Sequence, residues 1–281
     1  MSESLEARVD GLTFAEGPRW YDGALWFSDM HDHCVRRLDA TGTCSVVLTL
    51  DDEPSGLGWL PDGTLLVVSM TARQILRWDG NRLSVHADLS AFGAQPCNDM
   101  VTDAAGRSYV GNFGFDLHKG EKPRTTHLTL VTPDGESRVV ADELAFPNGA
   151  VITPDGNTLI VGESFGARLT AFTIADDGSL TDRRVWASLE GAVPDGIGLD
   201  AEGAVWVASP VSHEVLRVHE GGEVSERIPT GDQAIACALG GDDRRTLFVC
   251  ISPTIDPEAC QRDRAARIVS KRVAVPGAGF P

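Results

Sequence analysis

Four polar residues are marked out by their type and by the apolar segments they introduce: Glu16, Asn98, Asn148 and Asp195. They open the stretches EGPRW, NDMV, NGAV and DGIGL, each polar at its start and mostly apolar after it. Two carboxylates and two amides offer hard oxygen donors. Gathered away from water they would repel or stand unpaired, at a cost of roughly 1–3 kcal/mol each. A divalent cation removes that cost, because Ca²⁺ and Mg²⁺ prefer oxygen from Asp, Glu and Asn. No His or Cys accompanies the four, which argues against a dedicated Zn²⁺ or Cu site. Most of the chain separates the first from the last, so only the fold can bring them together.

The elements that must do so form a repeat. One pattern occurs six times: a polar residue or Gly, an apolar stretch, a turn with Asp or Glu and Gly, and a second apolar strand. The copies begin at Glu16, Ser55, Asn98, Asn148, Asp195 and Ala236. Their turns fall at Gly23, Gly63, Gly106, Gly156, Gly203 and Arg244, so successive spacings are 40, 43, 50, 47 and 41 residues. Five glycines suit a hairpin turn that needs positive φ. Further alternating segments such as QILRWDG, EVLRVHEGG and RRVWASL supply third and fourth strands. Four strands per unit of about 40–45 residues is the propeller signature. The expected fold is therefore all-β: a six-bladed β-propeller with four-stranded antiparallel blades around a central channel, one domain spanning residues 1–281. Residues 5–12 are expected to pair with ARIVSKRVAV near the C-terminus and close the ring, which removes exposed sheet edges. Regular spacing argues against a β-sandwich or two smaller barrels.

Aligned on the turn, Ser55, Asn98, Asn148 and Asp195 stand eight residues before it, as does Ala236, and Glu16 stands seven before. The first strand of each blade lines the channel. Equivalent positions then form a ring at one depth that reads Glu, Ser, Asn, Asn, Asp, Ala. Any one of these residues alone reads as a strand cap bonded to loop backbone. Four at one repeat-equivalent position read as a metal centre.

Composition sets the surroundings. The net charge is −17 with no basic patch, which weighs against nucleic acid and against anionic membranes. No apolar run approaches the ~20 residues of a membrane helix. The N-terminal MSESLEARVDG lacks the pattern of a signal peptide, and the six cysteines form no CxxC pair. A cytoplasmic protein with reduced thiols is expected, as a monomer or small homo-oligomer. No GxSxG elbow is present, which counts against a serine hydrolase.

FAEGPRW, FPNGAVITPDG and VPDGIGLDAEGAVWVA resemble signatures of the senescence marker protein (regucalcin) / gluconolactonase / luciferin-regenerating-enzyme family. The resemblance covers roughly residues 8 to 275. It implies one divalent ion in the central tunnel, Ca²⁺ first and Mg²⁺, Mn²⁺ or Zn²⁺ as other occupants. Glu16, Asn148 and Asp195 match the family's metal ligands. Asp195 also matches its catalytic base, and Asn98 the Asn near metal and substrate. The implied activity is carboxylic-ester hydrolysis of a small lactone of the sugar type, such as an aldonolactone. Sugar-lactone hydrolases of the family often carry an Arg two residues before the ND motif. Pro96 stands there, which counts against gluconolactone itself. Asp116, in GNFGFD, falls near the family's second substrate-side carboxylate. Cys97, Met100, Phe113 and Phe115 favour a less polar ring.

Loops between the second and third strands share a face with the ring. SDMHDHC carries His31 and His33, candidates for substrate binding or proton transfer; the ordinary alternative is a solvated loop histidine. His213 has the same status. His86, His127 and His219 read as structural, and Trp20, Trp26, Trp59 and Trp206 as core between blades. Two further functions remain open beside the lactonase: a metal-dependent esterase acting on a less polar ring or an aryl ester, and a non-catalytic calcium-binding propeller.

Overall fold

The computed structural model describes residues 5–117 and 119–279. It has six four-stranded antiparallel sheets arranged as a six-bladed β-propeller. The inner strands are Ala15–Tyr21, Pro54–Trp59, Cys97–Thr102, Pro147–Ile152, Ile197–Leu199 and Gln233–Gly240. In blades one to five the chain runs outward strand by strand. Blade six takes its outermost strand from the other end of the chain: Glu6–Leu12 pairs with Ala266–Arg272, with Ala7 opposite Val269 and Leu12 opposite Ala266. The expected closure is therefore present, and it joins blade six to the chain entering blade one.

The hairpin turns also match the expectation. Gly23, Gly63, Gly106, Gly156 and Gly203 all have positive φ, and Arg244 takes the sixth place at φ 55°. Alternation buries one apolar face of each strand against the next blade. Phe27, Val67, Val110, Val161, Val207 and Val249, one from each second strand, are essentially inaccessible. Trp206 and Trp59 are buried, whereas Trp20 and Trp26 are partly exposed.

The inner strands crowd at the axis. A Cβ on Gly149 would lie 2.6 Å from the Asp195 carbonyl oxygen, and one on Gly196 would lie 2.3 Å from the Ala236 Cβ. Only glycine permits that approach. Gly17, Gly56, Gly149 and Gly196 each come directly after a ring residue, and blade three places Asp99 at this position instead.

One connection between a second and a third strand, in blade six, is not a plain loop. Pro257–Asp263, within SPTIDPEAC and just beyond it, is a short α-helix. Asp256 caps it by accepting from the Ala259 amide at 2.8 Å, and Pro257 opens its first turn. Seven residues are too few for amphipathic periodicity to show in sequence.

Candidate functional site

Each ring residue lies where an inner strand leaves its regular ladder. Pairing with the second strand breaks between Glu16 and Arg19, Pro54 and Leu57, Cys97 and Met100, and Pro147 and Ala150. Ser55, Asn98 and Asn148 fall inside these breaks and Glu16 at the edge of its own. Bulges of this kind re-aim side chains. In blade five the regular strand begins only at Ile197, and Asp195 is tied by its amide to the Ala208 carbonyl at 3.0 Å.

The hydrogen bonds orient the two amides. Asn148 Nδ2 donates to Ser164 Oγ at 3.3 Å, and Ser164 Oγ donates in turn to the Pro194 carbonyl at 2.7 Å. Asn98 Nδ2 donates to the Pro147 carbonyl at 3.3 Å. Both NH₂ groups are thus engaged by the protein, which leaves their oxygens as the free donors. Glu16 accepts the Gly17 amide through Oε2 at 2.7 Å. Among the described residues, Asp195 Oδ1 and Ser55 Oγ are buried with no hydrogen-bond partner. Buried polar atoms are rarely left so.

The electrostatics agree with the geometry. Burial, with the nearby Asp195 and Asp99 charges, pushes the Glu16 carboxyl well above its usual range; the Gly17 amide and Arg19 offset only part of this. Burial and then Asp99 push Asp195 up to about 8, against partial relief from the Asn148 amide. These residues fit a hard divalent cation. The donors are all oxygen, two amides are turned to offer it, and a carboxylate oxygen stands orphaned beside them.

A second acidic group lies on the blade-one rim. Ligand atoms of Asp29, Asp32 and Cys34 come within 4.8 Å of one another. Their charge is already met. Asp29 Oδ1 accepts from the Thr13 and Phe14 amides, and Arg36 reaches both carboxylates. Arg264 adds a two-pronged contact to Asp32 at 3.0 Å, and these guanidinium bonds hold Asp32 down at about 2.

The remaining candidates sit outside the ring. His31 is buried, not solvated: Nδ1 is 2.9 Å from Glu53 Oε1, and the ring lies against Phe14. His33 ends the same rim turn in a left-handed conformation. Asp116 binds the Lys119 ammonium at 2.9 Å and the Lys119 amide at 3.0 Å within its own loop. Phe113, Phe115, Phe146 and Phe165 form one aromatic cluster with centroids 4.8–5.7 Å apart. Phe146, two residues before Asn148, has φ 62°, a rare conformation for a bulky residue. The Ser164 amide, bonded to the Phe146 carbonyl at 3.0 Å, helps to hold it there.

One set of supporting residues, and one partner in a second, were not marked in the sequence. Asp29, Glu163 and Ser209 end the second strands of their blades and accept amides of the segments leading into Glu16, Asn148 and Asp195: Phe14, Ala145 and Val193 respectively. Their shared place in the repeat, in SD, GES and ASP, was the available signal. The second set is the pair Arg19–Asp99. Asp99 stands out in sequence as the residue replacing glycine, but nothing local names its partner.

Residues 14–252 match the SMP-30/Gluconolactonase/LRE-like region. A regucalcin from Gallus gallus is 26% identical, over 97% of this chain and 94% of its own length. A 6-deoxy-6-sulfogluconolactonase from Pseudomonas putida is 26% identical, over 100% and 99%. The crystal structure of a calcium-binding regucalcin from Agrobacterium tumefaciens superposes with a TM-score of 0.83, at 21% identity, covering 100% of this chain and 97% of that one. With the match extending from blade one into blade six, the chain belongs to the SMP-30/gluconolactonase/LRE-like family.

Proposed function

We propose that the protein is a metal-dependent lactonase that hydrolyses a small cyclic ester to its hydroxy acid. The observation that carries this reading is the donor set at the channel mouth: two amide oxygens left free and a buried carboxylate oxygen without a partner. Glu16, Asn148 and Asp195 would hold one divalent cation, Ca²⁺ first. Such an ion, when bound, polarises an ester carbonyl and makes nearby water more acidic. Asp195 accepts the proton of the attacking water and returns it to the ring oxygen as the carbon–oxygen bond breaks. The second hydrogen of Asn98 Nδ2 is available to the developing oxyanion. The relatives' names support a lactone as substrate class. Six free cysteines fit a reducing, cytoplasmic setting.

The test is acid release from a panel of sugar and aliphatic lactones, monitored with a pH indicator with and without a chelator. Chelator-sensitive hydrolysis is expected. A panel with no hydrolysis, beside retained cation binding, would favour the non-catalytic calcium-binding alternative.

A less polar substrate is favoured by one observation. Phe165 is half exposed, is backed edge-on by the buried Phe115, and adjoins Ser164, the partner of Asn148. Phe165→Ser is expected to raise KM for an alkyl-substituted lactone about tenfold, at the scale of one buried aromatic contact. An equal rise for a polyhydroxylated lactone would remove this preference.

A further inference from the structure

Arg19 and Asp99 form a buried ion pair joining the inner strands of blade one and blade three. Arg19 Nη2 donates to Asp99 Oδ1 at 2.8 Å and to the Met100 carbonyl at 2.7 Å, and Nη1 donates to the Pro18 carbonyl at 3.0 Å. The Met100 amide donates to the same Asp99 oxygen at 2.8 Å. The side chains are only 7% and 4% exposed. The blade between them makes room: a Cβ on Gly56 would lie 2.8 Å from Asp99 Oδ1 and 2.2 Å from the Met100 nitrogen. Arg19 also lines the small cavity below, with Pro18, Trp20 and Cys237. The pair therefore lies between the ring and the lower half of the channel.

A closed channel does not need an ion pair. Apolar side chains of similar volume would fill the space without the cost of stripping water from two charges. The charges therefore call for a reason, and the ring supplies one. Glu16, Asp99 and Asp195 are three carboxylates close enough that Asp99 acts on the other two. One guanidinium among three carboxylates leaves a net charge of two, which is that of a divalent cation.

We infer that Arg19 is a built-in counter-ion: it withdraws Asp99 from the ring, sets the charge offered to a cation at two, and fixes the strand that carries Asn98. Arg19 and Asp99 are thus positioning residues. The inference rests on the proposal that the ring holds a cation.

Calcium and magnesium affinities measured by calorimetry on the full chain test it, in the wild type, Arg19→Met, Asp99→Asn, the double variant and Arg19→Lys. Arg19→Met frees a third carboxylate and is expected to tighten Ca²⁺ binding about tenfold or more. Asp99→Asn leaves a guanidinium unopposed and is expected to weaken it about tenfold or more. The double variant returns to within about threefold of wild type, a coupling that purely structural damage does not produce. Arg19→Lys keeps the charge and is expected to stay within about threefold, with a lower melting temperature. If Arg19→Met does not fold, Arg19→Lys and Asp99→Asn decide the matter. Single variants that fold but bind like wild type, or that both weaken binding, overturn the counter-ion. A wild type that binds no divalent cation removes the cation reading instead.

Discussion

The protein has two groups of acidic side chains near the same end of the propeller, and they have opposite electrostatics. At the rim of blade one, Asp29 and Asp32 are met by Arg36 and Arg264, and Asp32 is held down at about 2. In the ring, Glu16 and Asp195 are pushed up, and the nearby guanidinium of Arg19 is engaged by Asp99. Among the described residues, the rim group, with Cys34, is the one whose three ligand atoms lie within 4.8 Å of one another. Proximity of carboxylates therefore does not identify a cation site. What distinguishes the two is whether the protein has already supplied the compensating charge. Where it has, the carboxylates serve as structural links; where it has not, the charge is left for the proposed cation to meet.

The largest effect that could break this contrast is at Asp195. Asp195→Asn is expected to lower kcat/KM for the best lactone by about a thousandfold or more, roughly 4 kcal/mol of transition-state stabilisation. It should also abolish the rise in melting temperature on adding Ca²⁺. Full activity in this variant would remove Asp195 as the base while leaving the fold untouched.

Removing the cation comes next in size. At a hundredfold excess over Kd a ligand stabilises by about 2.7 kcal/mol, or roughly 5 °C for a chain of this length. Chelation should lower the melting temperature by about that amount, and Ca²⁺ should restore it. An unchanged curve after exhaustive chelation would mean that the ring carboxylates tolerate burial alone.

Without cation, the two groups should respond to pH with opposite sign. Asp195 is raised in the folded protein, so its contribution to stability is present below the ordinary carboxylate value and is lost as pH rises through about 8. Asp32 is lowered, so its contribution is present above that value and is lost as pH falls through about 2. Melting temperatures of chelated protein between pH 3 and 9 should thus decline toward both ends. Asp195→Asn should reduce the alkaline decline and spare the acid one. A decline that Asp195→Asn leaves unaltered would place its origin elsewhere.

The smallest expected effect is at Arg264, whose pairing with Asp32 is largely solvent-exposed. Arg264→Ala should cost within about 1 kcal/mol and leave Ca²⁺ affinity unchanged. A change in affinity would show that the rim and the ring are coupled.

Much of the ring was legible because it is a repeat. A polar residue eight positions before a turn glycine is visible in Ser55, Asn98, Asn148 and Asp195, and the turn itself constrains φ locally. The partner of Asp99 was not legible. Arg19 is 80 residues away and shows no local sign of reaching across blade two. The surroundings of His31 were not legible for a related reason: the ordinary alternative to its candidate role was a solvated loop histidine, but Glu53, Phe14 and the neighbouring helix surround it. The helix itself, seven residues long, carried too few turns to declare a period.

The sequence by itself determined the number of blades, the turns, the closing strand and the repeat-equivalent positions of the ring residues. Each of those depends on alternation and on backbone conformations that a few neighbouring residues impose. Only the tertiary structure decided which carboxylates are compensated and which are not. Charge compensation acts through space over a few ångströms, within blade one for Arg36 and between strands of different blades for Arg19. Arg36 is therefore assigned to Asp29 and Asp32, Arg19 to Asp99, and Asp195 Oδ1 is left without a partner.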